Sequence, residues 1–177
     1  FACEAEKVEP THKIRTVNER VDPGGGGINV ARVVVALGGR ALAVFLAGGP
    51  TGQVLQDLMW ESDVPARAVP IRNRTRISQT VYDRSSGEEF RFVAEGPEVR
   101  PGEWQAALDL LGEVECDWIV ASGSLPRGIP DDFYAQAAAV AKRRNRRFVV
   151  DSSGEALKQA LGHGVELIKP SLGELRK

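Results

Sequence analysis

Four short strand-like runs, interleaved with helical patterns, are what most restrict the folds open to this chain. They are Ala41–Ala47 (ALAVFLA), Trp118–Ala121, Phe148–Val150 and Glu166–Ile168. A continuous apolar run too short for a helix reads as a strand covered on both faces. Thr51 is placed to cap a helix whose Val54, Leu55, Leu58 and Met59 form one apolar face. Trp104, Ala107, Leu108 and Leu111 fall at helical spacing. Pro130 opens another helix, with Asp131 and Asp132 in its first turn and Phe133, Ala137 and Val140 facing inward. Strands alternating with helices predict an α/β fold: a doubly wound, mainly parallel sheet with helices on both faces. Two segments break the rhythm, Lys13–Val21 and Arg76–Val93. Both read as solvent-facing β structure, the second as a hairpin of VYD, the turn RSSGE and EFRFV. They predict a small β lid projecting from the main sheet.

Composition narrows the function classes. Apolar residues make up 42% of the 177, enough for a real core, so one domain or a little more is expected. Lys and Arg number 23 against 24 Asp and Glu, a formal charge of −1. No overall basic field draws such a chain to nucleic acid or to a membrane surface. The run Lys142-Arg143-Arg144-Asn145-Arg146-Arg147 sits where a helix ends, and there cations complement the macrodipole. No aromatic residues interleave it as a nucleic-acid surface would require. Cys3 and Cys116 match no metal spacing and fit a reduced, cytoplasmic setting. The longest apolar runs are too short to span a bilayer, and no signal peptide is visible.

The chemistry concentrates first in Pro23–Gly39, PGGGGINVARVVVALGG. Four glycines carry no Cβ atoms, so a small ligand can lie on the backbone itself, and the helix behind them turns free N–H groups toward the same spot. Only Asn29 and Arg32 are polar in that helix, and their i,i+3 spacing puts them on one face. The pattern predicts a buried helix with a short polar stripe at the carboxyl edge of the sheet. It is not a Walker loop, because Gly27 is followed by Ile28 and Asn29 rather than Lys-Ser/Thr. Nor is it a dinucleotide fingerprint, because the third glycine falls on Asn29 or Val30.

Further candidates follow the later strands. Ser122-Gly123-Ser124-Leu125-Pro126 comes directly after one, where ligands of doubly wound sheets bind. Ser124 is placed to hydrogen-bond a substrate, or is only a polar turn residue. The stretch does not fit Gly-x-Ser-x-Gly, and neither His12 nor His163 has an obvious acidic partner, which argues against a Ser-His hydrolase. Arg76, at the base of the hairpin, offers a planar fork suited to phosphate. Asp151 is placed to orient a nucleotide or sugar, or only leads a polar turn in which Ser152 or Ser153 caps the next helix. Ser171 and Glu174 have Ser-x-x-Glu spacing, which fits either a capping box or a water-mediated magnesium contact by Glu174.

Taken in order, GGGGINVARVVVALGG, ASGSLPRG, VDSSGEAL and IKPSLGEL resemble the landmarks of the ribokinase-like PfkB family of carbohydrate kinases. The resemblance runs through nearly the whole chain. It implies that residues 1–177 form part of a ribokinase-like kinase domain, with lid segments at about 13–22 and 76–93. Within the family, Ser-Gly-Ser-Leu-Pro and Ser-Gly-Glu-Ala-Leu are shared by kinases of phosphosugars. The four glycines and Asp-Ser-Ser-Gly-Glu-Ala-Leu imply ATP-dependent phosphorylation of fructose 6-phosphate to fructose 1,6-bisphosphate. The alternatives are a fructose-1-phosphate or tagatose-6-phosphate kinase, which usually carry a lysine where Gly26 stands, or a non-catalytic sugar-phosphate-binding protein.

The resemblance also implies roles. Gly25, Gly26, Gly27 and Asn29 would hold the sugar hydroxyls. Arg76, Ser124 and Lys13 would contact the sugar phosphate, with Arg15 reaching across a homodimer formed through the lid. Lys169, Ser171 and Glu174 would lie on the ATP side, with Glu174 organising Mg2+ through water. Ser171 departs from the family's asparagine. The family's first strand, with a sugar-binding aspartate, is expected before Phe1. Its general-base aspartate is expected beyond Lys177, so residues 1–177 alone are expected to be inactive.

Overall fold

The computed structural model describes residues 1–170 and 173. Its elements are β1 (Ala2–Ala5), β2 (Thr16–Arg20), α1 (Gly26–Ala36), β3 (Ala43–Ala47), α2 (Gly49–Trp60), β4 (Ala66–Pro70), β5 (Ser78–Asp83) and β6 (Glu88–Val93). There follow α3 (Pro101–Glu113), β7 (Trp118–Ser122), α4 (Phe133–Arg143), β8 (Arg147–Asp151), α5 (Gly154–Leu161) and β9 (Leu167–Ile168). The apolar runs become the expected parallel strands. β3 pairs with β4, and β7, β8 and β9 form a second parallel ladder. Among the described residues β3 and β7 are not paired with each other, so each keeps a free edge.

Each parallel ladder has its own core. Leu108, Ile119, Tyr134, Ala137, Ala138, Phe148 and Val150 pack together under α3, α4 and α5. Ile28, Ala31, Ala43, Met59 and Val64 close a smaller core around α1, β3 and α2. In α4 the buried face is wider than the expected Phe133, Ala137 and Val140, because alanines let the helix lie close on β8 and bring Tyr134 inward.

The two irregular β segments join a mostly antiparallel sheet, ordered β2-β1-β5-β6. Its small core is Cys3, Ala5 and Val81, with Val8 and Phe90 against it. Asp83 is buried at the hairpin end. Its carboxylate accepts from the Val8 N–H at 2.9 Å, the Ser85 hydroxyl at 2.7 Å and the Ser85 and Ser86 N–H groups at 2.8 and 3.1 Å. The Val8 N–H, then the Ser85 hydroxyl, lead in holding the Asp83 carboxyl down at about 2. That carboxylate ties the hairpin turn to the loop after β1.

Several local expectations are corrected. The N-cap of α2 is Gly48, not Thr51, whose hydroxyl instead donates to the Thr75 carbonyl at 2.6 Å. α4 starts at Phe133, with Asp131 and Asp132 in the turn before it. Helix α1 buries only one face: Val33 and Leu37 are 58% and 83% exposed. Ser153 sits at the N-cap of α5 without a side-chain capping bond. In the basic run, Arg146 donates to the Leu111 carbonyl at 2.6 Å, and Arg147 stacks 4.9 Å over Trp118. No helix among the described residues is long and apolar enough to cross a membrane.

Candidate functional site

The free edges of β3 and β7 face a cleft of about 2110 Å³ that α1 and α3 also line. The carboxyl end of β7 lies on it beside the start of α1, where a sheet of this kind binds ligands. Gly24, Gly25, Gly26 and Gly27 line the cleft with Asn29, Arg76, Ser122 and Ser124. Phe1, Arg20 and Ser78 bring the four-stranded sheet to the same cleft. Six of the residues singled out from the sequence line this cleft: Gly25, Gly26, Gly27, Asn29, Arg76 and Ser124.

Local structure explains how. Gly25 caps α1 with φ 118°, and its carbonyl accepts from the Asn29 N–H at 2.9 Å. Gly26 lies so close to the end of β7 that a Cβ there would stand 2.1 Å from Ser122 Oγ and 2.8 Å from Ser122 Cβ. Only glycine lets the start of α1 settle on the β7 terminus. A Cβ on Gly27 would meet nothing within 4 Å. Arg76 is exposed, and its guanidinium has no carboxylate partner among the described residues.

The turn after β7 is bound to the turn after β8. Ser122 Oγ donates to Asp151 Oδ2 at 3.0 Å, and the Gly123 N–H donates to the Asp151 carbonyl at 2.9 Å. Lys169 Nζ stands 3.3 Å from Asp151 Oδ1. Tyr134 and Ser152 both donate to the Gly123 carbonyl, at 2.7 and 2.9 Å. Neither hydroxyl stood out in the sequence. Tyr134 follows a helix pattern as any core aromatic does, and Ser152 looks like a cap.

Not every candidate comes to the cleft. Lys13 and Arg15 are exposed in the segment between β1 and β2 and do not line it. Lys169 reaches the site only through Asp151. Ser171 and Glu174 lie outside the described residues. Among the described residues no group of three or more His, Cys, Asp or Glu side chains could hold a metal ion.

Parallel strands with connecting helices, beside a glycine-lined cleft, define an α/β protein. Residues 1–177 match the pfkB family of carbohydrate kinases, and the chain belongs to that family. ATP-dependent 6-phosphofructokinase isozyme 2 of Mycobacterium tuberculosis is 43% identical over 172 residues, covering 96% of this chain and 50% of that protein. The 1-phosphofructokinase of Bacillus subtilis is 32% identical over 154 residues, covering 86% of this chain and 50% of that protein. Phosphofructokinase-2 from Escherichia coli, solved in complex with fructose-6-phosphate, superposes with a TM-score of 0.93 at 40% identity over 98% of this chain and 58% of that one. The chain spans about half the length of the curated relatives it matches.

Proposed function

We propose that the complete polypeptide carrying these residues transfers the γ-phosphate of ATP to fructose 6-phosphate, giving fructose 1,6-bisphosphate. The observation that carries this reading is the lining of the cleft. A glycine floor there shares one cleft with a serine-bearing turn and with Arg76, which has no carboxylate partner among the described residues. The resemblance of the chain to 6-phosphofructokinase isozyme 2 supports the choice of sugar. Gly25, Gly26, Gly27 and Asn29 form the sugar floor, and Arg76 and Ser124 hold the sugar phosphate. A hydroxyl of the sugar then attacks the γ-phosphate in line, with positioning and charge stabilisation supplying most of the acceleration. Lys169 belongs to the nucleotide side. Mg2+ is the cofactor expected beside ATP, and Glu174, which would organise it through water, lies outside the described residues.

A fructose-1-phosphate kinase is the second reading, given the Bacillus subtilis relative. Position 26 speaks against it. Those enzymes usually carry a lysine there, whereas a side chain at Gly26 would run into Ser122. An acceptor panel with coupled ADP detection tests both. Fructose 6-phosphate is expected to give a higher kcat/KM than fructose 1-phosphate, tagatose 6-phosphate, ribose or adenosine. A preference for ribose or adenosine would remove the phosphosugar assignment. Binding of fructose 6-phosphate with no ADP release from any acceptor would make the protein a sugar-phosphate binder.

The four-stranded sheet is the lid in this reading, and it also serves as a homodimer interface. Val17, Phe92 and Val93 are 48%, 56% and 61% exposed on it, more apolar surface than a small solvent-facing sheet needs. Sedimentation velocity at micromolar concentration should give a dimer that Phe92→Asp dissociates. A monomer across that range would exclude the interface.

A further inference from the structure

The Gly123 carbonyl accepts two side-chain hydroxyls, from Tyr134 at 2.7 Å and Ser152 at 2.9 Å. Both residues are buried, at 6% and 7% exposure. They lie on different elements, 11 and 29 residues from Gly123 in sequence. Gly123 itself sits at φ 121°, a conformation that L side chains rarely adopt. A glycine in such a turn is free to rotate its following peptide, and two donors on one oxygen remove that freedom. The peptide is planar and trans, so the Ser124 N–H points opposite to the Gly123 carbonyl. The carbonyl faces the buried hydroxyls, so the N–H is turned away from them, and Ser124 itself is exposed and lines the cleft. Among the described residues nothing accepts from that N–H.

We propose that Tyr134 and Ser152 are positioning residues that clamp the Gly123–Ser124 peptide, so that the Ser124 main-chain N–H, beside its hydroxyl, donates to the substrate's phosphate. This rests on the sugar-phosphate reading given above. A fixed N–H aimed at an anion needs no reorganisation when phosphate arrives, which is what makes such a donor effective. Burial pushes the Tyr134 phenol up to about 12, so it remains a hydrogen-bond donor at any working pH. The ring of Tyr134 packs in the core beside Phe133, and phenylalanine keeps that packing.

The test uses the complete polypeptide and the variants Tyr134→Phe, Ser152→Ala and their double. Each single change is expected to raise KM for fructose 6-phosphate about 2- to 12-fold, the worth of one hydrogen bond, and to leave KM for ATP unchanged. The double is expected to exceed the product of the singles, because each hydroxyl partly covers for the other. Free fructose, which lacks the phosphate, should lose nothing. An equal rise in every KM with a lowered melting temperature would make the hydroxyls mere packing and overturn the proposal. So would an unchanged double variant. A second arm is independent of turnover: inorganic phosphate should shift the Ser124 amide resonance in the wild type and not in the double variant. Wild-type protein inactive on fructose 6-phosphate but with that shift would sink the kinase reading and keep the clamp. A Ser124 amide unmoved by phosphate in the wild type would sink the clamp, whatever the acceptor panel shows.

Discussion

Arg76→Ala in the complete polypeptide is expected to raise KM for fructose 6-phosphate about ten- to hundredfold while KM for ATP stays nearly unchanged. Arg76 lines the cleft, is exposed, and has no carboxylate partner among the described residues. Its charge is therefore not already committed to a neighbour. A charge-assisted contact between such a guanidinium and a phosphate contributes roughly 1.5–3 kcal/mol, which sets the size of the effect. Arg76→Lys separates charge from shape. It keeps the cation but loses the planar fork that grips two phosphate oxygens, so an intermediate loss is expected. Steady-state kinetics with each substrate varied in turn reads all three proteins. Wild-type constants in Arg76→Ala would show that Arg76 is an ordinary surface residue.

The second large effect separates two neighbouring glycines. Gly26→Ala places a methyl 2.1 Å from Ser122 Oγ and 3.1 Å from the Ser122 carbonyl oxygen. Ser122 cannot yield easily, because its hydroxyl is bonded to Asp151 and its backbone ends a paired strand. The start of α1 must lift from β7 instead. A loss of about 1–3 kcal/mol in unfolding free energy is expected, as for other overpacked sites. Sugar-phosphate affinity should fall with it, since the floor and the serine turn separate. Gly27→Ala behaves differently. Its methyl meets nothing within 4 Å, and alanine within a helix is favoured over glycine by about 0.5–1 kcal/mol. Unfolding by urea should therefore show Gly27→Ala unchanged or slightly stabilised, while fructose 6-phosphate binds more weakly because the methyl occupies its floor. If Gly27→Ala binds normally, the glycine run is not the sugar floor. If Gly26→Ala is as stable as the wild type, α1 does not rest on β7 as described.

What could be read in the sequence follows the physics of each element. β3, β7 and β8 are legible because each is a short continuous apolar run, although in β7 Trp118 and Val120 remain exposed. β4, ARAVP, carries an arginine and ends in a proline, and it pairs only with β3, so its pattern is weak. β1, ACEA, is four residues long, with Glu4 facing outward to Arg84. Helix α1 looked buried because nearly every residue is apolar, yet burial depends on what stands opposite. Val33 and Leu37 stay exposed among the described residues. The glycine loop, Arg76 and Ser124 were legible as candidates because their chemistry is local. The Tyr134 and Ser152 clamp was not, because its meaning lies in one carbonyl shared by two distant elements. Lys13 and Arg15 were assigned by resemblance alone, and the segment that carries them stays clear of the cleft.

The separation of the two parallel ladders bears on how the molecule assembles. The β7-β8-β9 block with α3, α4 and α5 is one unbroken stretch of chain with its own core, and so is the β3-β4 block with α1 and α2. Contacts between residues near in sequence form early, since little chain entropy is lost in closing short loops. Each block can therefore consolidate before the other is in place. In the proposed site the glycine floor belongs to one block and the serine turn to the other, so that site is complete only where the two blocks meet.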